Sequence, residues 1–95
     1  MTRVVWAPQA IDDVEAIRAY VARDSAHYAD LLVERIISAV SRLESYPLSG
    51  RVVPEVSDES LREVIYGNYR IVYRVRLDLV EIATVFHGAR LFRLD

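Results

Sequence analysis

Arg62, Arg70, Arg74, Arg76 and Arg90, with His87 just ahead of Arg90, are the side chains of this chain best equipped for chemistry. A guanidinium group grips phosphate or carboxylate through a rigid planar fork, and an imidazole can carry a proton near neutral pH. All 12 basic residues are arginine, and lysine is absent. Spacing then adds direction. Tyr69, Ile71, Tyr73 and Val75 alternate with Arg70, Val72, Arg74 and Arg76. Successive strand residues point to opposite faces. One set can line a core, and the other places its arginines on one sheet face, about 7 Å apart along the strand. That face is expected to be offered to a partner, with Arg62, Arg90 and Arg93 extending it. Gly50-Arg51 reads equally as an anion contact and as a turn glycine beside a surface arginine.

Other chemistries find little support. With no cysteine there is no thiolate nucleophile and no cysteine-based metal site. His27 and His87 lie too far apart for metal-ligand spacing. Neither sits in a nucleophile elbow, and a lone histidine at a strand end is more often structural than catalytic. Tyr66, Tyr69 and Tyr73 could stack on bases, but Tyr69 and Tyr73 share the face opposite Arg70 and Arg74, so core is the better reading. The carboxylates spread along helices as solvated faces, with no catalytic pair. No cofactor and no metal are expected. A net charge of −2 argues against a grip on many phosphates.

These residues need elements to position them. Arg3–Trp6 reads as a short strand. Pro8 suits a first helical turn, and Ala10, Val14, Ile17 and Val21 recur at helical spacing, predicting a helix over 8–23. Asp24-Ser25 offers a cap for a second helix over 26–45, with an apolar stripe of Ala29, Leu32, Val33, Ile36, Ile37, Val40 and Leu43. So short a break predicts an antiparallel helix pair, and its stripes must pack on a sheet. Pro47, Gly50, Pro54 and Ser57–Ser60 mark a connection. Strands are predicted over 61–66, 69–76 and 79–87, the first two joined by a Gly67-Asn68 hairpin turn. The expected fold is α+β: an N-terminal strand, a helix hairpin and a three-stranded antiparallel sheet, in one domain spanning 1–95. The composition, 53% hydrophobic and 27% charged, is that of a globular chain. No membrane-length apolar run and no signal-peptide segment are present, so a cytoplasmic location is expected.

The order of motifs resembles the RelE/ParE superfamily of bacterial type II toxins. The matching pieces are Trp6–Asp13, Tyr46-Pro47-Leu48-Ser49-Gly50-Arg51-Val52-Val53-Pro54-Glu55, Leu61-Arg62-Glu63, Gly67–Arg74 and His87-Gly88-Ala89-Arg90. Each is weak alone. Together they run in the family's order over nearly the whole chain.

The resemblance implies a toxin neutralised by a small antitoxin encoded beside it. RelE-like members cut mRNA on the ribosome, whereas ParE-like members are described as poisons of DNA gyrase. For a RelE-type nuclease site, Arg62, Arg70, His87 and either Arg90 or Arg93 are the positions that match. The family's lysines and its tyrosine near the C-terminus have no counterpart. The Gly-Arg-x-Val-Pro-Glu loop and the His-Gly-Ala-Arg ending look like ParE, so a gyrase-directed toxin is expected, ahead of an mRNA endoribonuclease and of a degenerate homologue that only binds its antitoxin. The resemblance implies Arg51, Arg70, Arg74, Arg76, Arg90 and Arg93 as contacts to target or antitoxin. Ile11, Tyr20 and Tyr28, left over beyond what a sheet would cover, are the expected seat of a ParD-like antitoxin tail. A homodimer or a higher toxin–antitoxin assembly is compatible with this reading.

Overall fold

The computed structural model describes residues 1–92. Strand β1 (Arg3–Trp6) leads into helix α1 (Pro8–Ala22), with Pro8 in the first turn as anticipated. Helix α2 (Ala26–Ser41) starts where the Ser25 hydroxyl accepts the Tyr28 N–H at 3.1 Å, and a 3-10 turn, Arg42–Glu44, finishes it. Strands β2 (Arg51–Val52), β3 (Leu61–Tyr66), β4 (Tyr69–Val75) and β5 (Leu79–His87) follow. Gly67 has φ +56° and Asn68 a negative φ, so the β3–β4 turn is the mirror type that fits the twist of a hairpin.

The sheet runs β1-β5-β4-β3-β2. It is antiparallel from β2 to β5, and β1 adds to β5 in parallel, Arg3 opposite Leu79 and Trp6 opposite Ile82. The parallel edge is possible because the helix pair supplies the crossover that such a pairing requires. Past Ile82, β1 has ended. Ala83 bulges out of the ladder there, since Tyr73 pairs with Ile82 and Val72 with Thr84. Asp13 of α1 takes over the open edge, accepting the Val85 N–H at 3.0 Å and the Thr84 hydroxyl. This pins α1 over β5.

Ala10, Val14, Leu32, Ile36, Val40 and Leu43 pack on Ile71, Tyr73, Val80, Ile82 and Val85 to form the main core. Burying each Ile or Leu fully is worth about 1.5–3 kcal/mol. Leu32, Ile36, Val40, Ile71 and Tyr73 are buried as expected, while Ile17 is half-buried.

The opposite face holds the main departure. A second cluster, Val53, Leu61, Val72 and Phe86, is roofed by the 53–60 loop and by Phe92. The expected open arginine face is therefore covered across its middle, because Val72 and Phe86 give the loop an apolar floor to bury. No helix among the described residues is long and apolar enough to cross a membrane.

Candidate functional site

Arg70 lies under that roof, only 5% exposed. Its Nε donates to Glu63 Oε1 at 2.7 Å, and its two terminal nitrogens take both oxygens of Glu55 at 2.6 and 2.7 Å. Nη1 also donates to the Arg90 carbonyl at 3.0 Å, and the guanidinium carbon stands 5.1 Å from the Phe86 ring centre. The fork is thus filled by two carboxylates and a carbonyl. Glu63 is itself buried and is held from its other oxygen by Arg51 Nε at 2.6 Å. Two cations and two anions balance inside a small volume, the condition under which buried charge is tolerated.

The same network ties down the chain beyond β5. Glu55 Oε2 accepts the Phe92 N–H at 2.8 Å, and Phe92 stacks on Phe86 with ring centres 6.3 Å apart. Hydrogen bonding from Arg70, followed by that of the Phe92 N–H, holds the Glu55 carboxyl down at about 2. Glu55 in turn is the main reason the Arg70 pKa rises. Since the folded value of Glu55 lies below the ordinary carboxylate value, folding favours the ionised form. That contribution is complete above about pH 4.5 and is lost as pH falls toward about 2. Wild-type melting temperature is expected to drop through this window, and Glu55→Gln to flatten the drop while lowering stability at neutral pH. Parallel curves for the two proteins in thermal melts from pH 2 to 7 would refute the assignment.

The remaining arginines separate. Arg62 is half-buried and bonds the carbonyls of Gly50 at 3.0 Å and Glu59 at 3.1 Å, bracing both ends of the connection. Arg74 reaches Asp58 at 3.3 Å and the Ser60 hydroxyl at 3.1 Å. The hydroxyl and the N–H of Ser60, with Arg74 behind them, lower the Asp58 pKa. Arg76 makes a long exposed pair with Glu81 at 3.4 Å. Arg90 is exposed, its guanidinium carbon 5.6 Å from the Phe86 ring centre. Arg93 lies outside the described residues. His87 is exposed at the end of β5, its Nδ1 accepting the Ala89 N–H at 3.2 Å and its ring edge-on to Tyr69. No carboxylate orients it among the described residues. Of the positions matched to a nuclease site, Arg70 and His87 border one hollow together with Arg51, Arg90 shares the Phe86 ring with Arg70, and Arg62 faces the connection instead.

Ile11, Tyr20 and Tyr28 are all exposed but do not form one patch. Ile11 joins Trp6, Val14 and Ile37 in a shallow apolar hollow of about 310 Å3 between the helices. Tyr20 lies nine residues along α1, two and a half turns away and so on the opposite flank, where Arg23 covers its ring. A larger trough of about 640 Å3 runs between α2 and β3, lined by Arg35, Arg42 and Arg51. The sequence reading did not single out Arg35 and Arg42. Their seven-residue spacing, which stacks them on one face, was the available signal.

Comparison with known proteins agrees with this architecture. Residues 4–92 match the ParE toxin family of type II toxin–antitoxin systems, parDE. The chain is 37% identical to Toxin RelE2 of Caulobacter vibrioides over 92 residues, covering 96% of this chain and all of that protein. Its fold is similar to that of a chain of the chromosomal ParDE TA system from P. aeruginosa, with TM-score 0.74 and 21% identity over 92% of this chain and 96% of the other. It is also similar to the conserved hypothetical protein HP0894 from Helicobacter pylori, with TM-score 0.61 and 15% identity over 97% and 100% of the two chains. With the match running from β1 to Phe92, the chain belongs to the ParE family of type II toxins.

Proposed function

We propose that this toxin acts in the cytoplasm by binding DNA gyrase, cleaves no bond itself, and is neutralised by a ParD-like antitoxin. The observation that carries the reading is the filled fork of Arg70. A nuclease needs cations aimed at a scissile phosphate and a group to move a proton. Here the most central cation is spent on Glu55 and Glu63, and His87, on the rim of the hollow that Arg70 also borders, has its Nδ1 engaged by the Ala89 N–H. The antitoxin seats on the hollow of Trp6, Ile11, Val14 and Ile37, where Ile11 and Ile37 remain about half exposed. An amphipathic or extended segment would bury this apolar surface.

The test pairs a gyrase supercoiling and cleavage assay with a ribosome-dependent mRNA cleavage assay. Gyrase inhibition by the purified toxin is expected, with messenger left intact. His87→Ala should retain toxicity within about threefold, because losing one exposed contact is worth little against a whole interface. In cells, DNA damage signalling and filamentation should precede any fall in translation. Prompt arrest of protein synthesis with intact chromosomes, together with loss of cutting in His87→Ala, would replace this reading with the RelE-like one.

A further inference from the structure

The β3 edge is only partly closed. β2 pairs with Arg62 and Glu63 and with nothing beyond them. Val53 N–H donates to the Leu61 carbonyl on this edge. By the two-residue period of a strand, the N–H and C=O of Ile65 point the same way. The β4 register agrees, because Tyr66 faces Tyr69 across the two-residue turn, leaving Ile65 to turn outward. Ile65 is 50% exposed, and no hydrogen bond from its backbone to a loop or cap is found among the described residues. Unpaired edge groups of this kind are a template for an added strand.

The surroundings of Ile65 are shaped for one. Ile65 lines two separate hollows. The first, of about 640 Å3, opens toward α2 and carries Arg35, Arg42 and Arg51. The second, of about 370 Å3, is bordered by Gly67, Asn68, His87 and Gly88, and by Arg51 and Arg70, whose guanidiniums are already held by Glu63 and Glu55. Side chains of an added strand alternate between the two sides of the sheet, so successive residues would enter one hollow and then the other. Of the cations in the first, Arg51 already holds Glu63, whereas Arg35 and Arg42 make no ion pair among the described residues. Seven residues apart, on α2 and at the start of the 3-10 turn that finishes it, they stand about 10 Å apart along the axis. They select for negative charge on this side of whatever lies along the edge.

We propose that an extended acidic segment of the antitoxin adds to β3 at Ile65, its carboxylates meeting Arg35 and Arg42. This rests on the antitoxin reading above and names a second seat beyond the apolar hollow. A peptide fits better than a nucleic acid strand, because the open backbone groups of Ile65 are satisfied by another peptide backbone and the chain carries a net charge of −2.

The test uses the toxin bound to the antitoxin encoded beside it. Arg35→Glu/Arg42→Glu should fold as the wild type does, since neither side chain bonds elsewhere in the described residues, and should bind the antitoxin at least about tenfold more weakly. In the wild type, amide exchange at Ile65 should slow on complex formation, while Val64 and Tyr66, already paired to β4, change little. Ile37→Asp probes the apolar seat independently. Loss of affinity in both variants, with protection of Ile65, supports the proposal. Loss in Ile37→Asp alone overturns the strand addition and leaves the antitoxin reading standing. Loss in neither overturns both. Intact antitoxin affinity in the double variant, combined with lost binding of a single-stranded oligonucleotide, would make the trough a phosphate site and overturn the proposal.

Discussion

Replacing Arg70 with alanine is expected to destabilise the protein by about 3–5 kcal/mol, the usual consequence of removing one partner from a buried ion pair. Glu63, 1% exposed, would keep only Arg51, which reaches it from solvent. Glu55 would lose its bidentate partner, and the Arg90 carbonyl its donor. The chain around Phe92 should loosen as a result. At about 4–8 °C per kcal/mol for a domain of this size, the melting temperature should fall by more than about 12 °C. Arg76→Ala, which removes an exposed pair with Glu81, should cost no more than about 1 kcal/mol. A thermal melt of the two variants beside wild type decides the matter. An Arg70→Ala protein that melts within a few degrees of wild type yet loses toxicity would make Arg70 a contact to the target and not a strut.

The second large effect is expected at Gly50. Its φ is not positive, so the requirement there is space alone. A Cβ on Gly50 would stand 2.5 Å from the Glu63 carbonyl oxygen and 2.6 Å from the Tyr73 hydroxyl. The carbonyl belongs to the backbone of β3 and cannot give way without disturbing the β2–β3 pairing. The Gly50 N–H also donates to the Tyr73 hydroxyl at 2.9 Å inside the core, and burial raises the Tyr73 pKa. Gly50→Ala should therefore cost about 2–4 kcal/mol, from overpacking and from strain or loss of that bond. In a Tyr73→Phe background the hydroxyl is gone, while the Glu63 carbonyl and the ring carbon at 2.9 Å remain, so the same substitution should cost less but not become neutral. Denaturant unfolding of the double-mutant cycle gives the coupling directly. Additive single effects would show that the hydroxyl is not part of the obstruction. By contrast, a Cβ on Gly67 meets nothing within 4 Å, and Gly67→Ala should cost only the strain of its positive φ.

Local chemistry made much of this fold legible. The Ser25 cap, the Pro8 start and the Gly67-Asn68 turn each follow from residues a few positions apart, and the helical stripes chose their own buried face. The arginine strand shows where such reasoning stops. Alternation assigned Arg70 to the face away from Ile71 and Tyr73, correctly, but alternation cannot say what covers a face. The cover comes from Val53, Val56 and Phe92, which lie in segments with no period to read. Glu63 was within reach, since the turn sets it opposite Val72, diagonal to Arg70 on the same face. Glu55 was not, because its position depends on the path of a loop. The parallel docking of β1 on β5 was likewise hidden, for it joins two segments that no local pattern connects. Ile11 and Tyr20 were grouped by exposure alone, although helical phase already separated them.

The position of β5 inside the sheet, with β1 on one side and β4 on the other, sets a timetable for biosynthesis. Ribosomes extend a chain at about 5–20 residues per second, from the N-terminus onward. Among the described strands β1 is made first and β5 last, so β1 waits through the making of both helices, the connection and the hairpin. Until residues 79–87 emerge, α1 lacks the strand that Asp13 grips and β1 lacks a neighbour. Folding is thus deferred until β5 has been made, and an antitoxin that recognises the finished surface has nothing to capture before then. A ribosome stalled short of β5 would carry apolar helices with nowhere to pack, a substrate for chaperones and proteases and not yet a toxin.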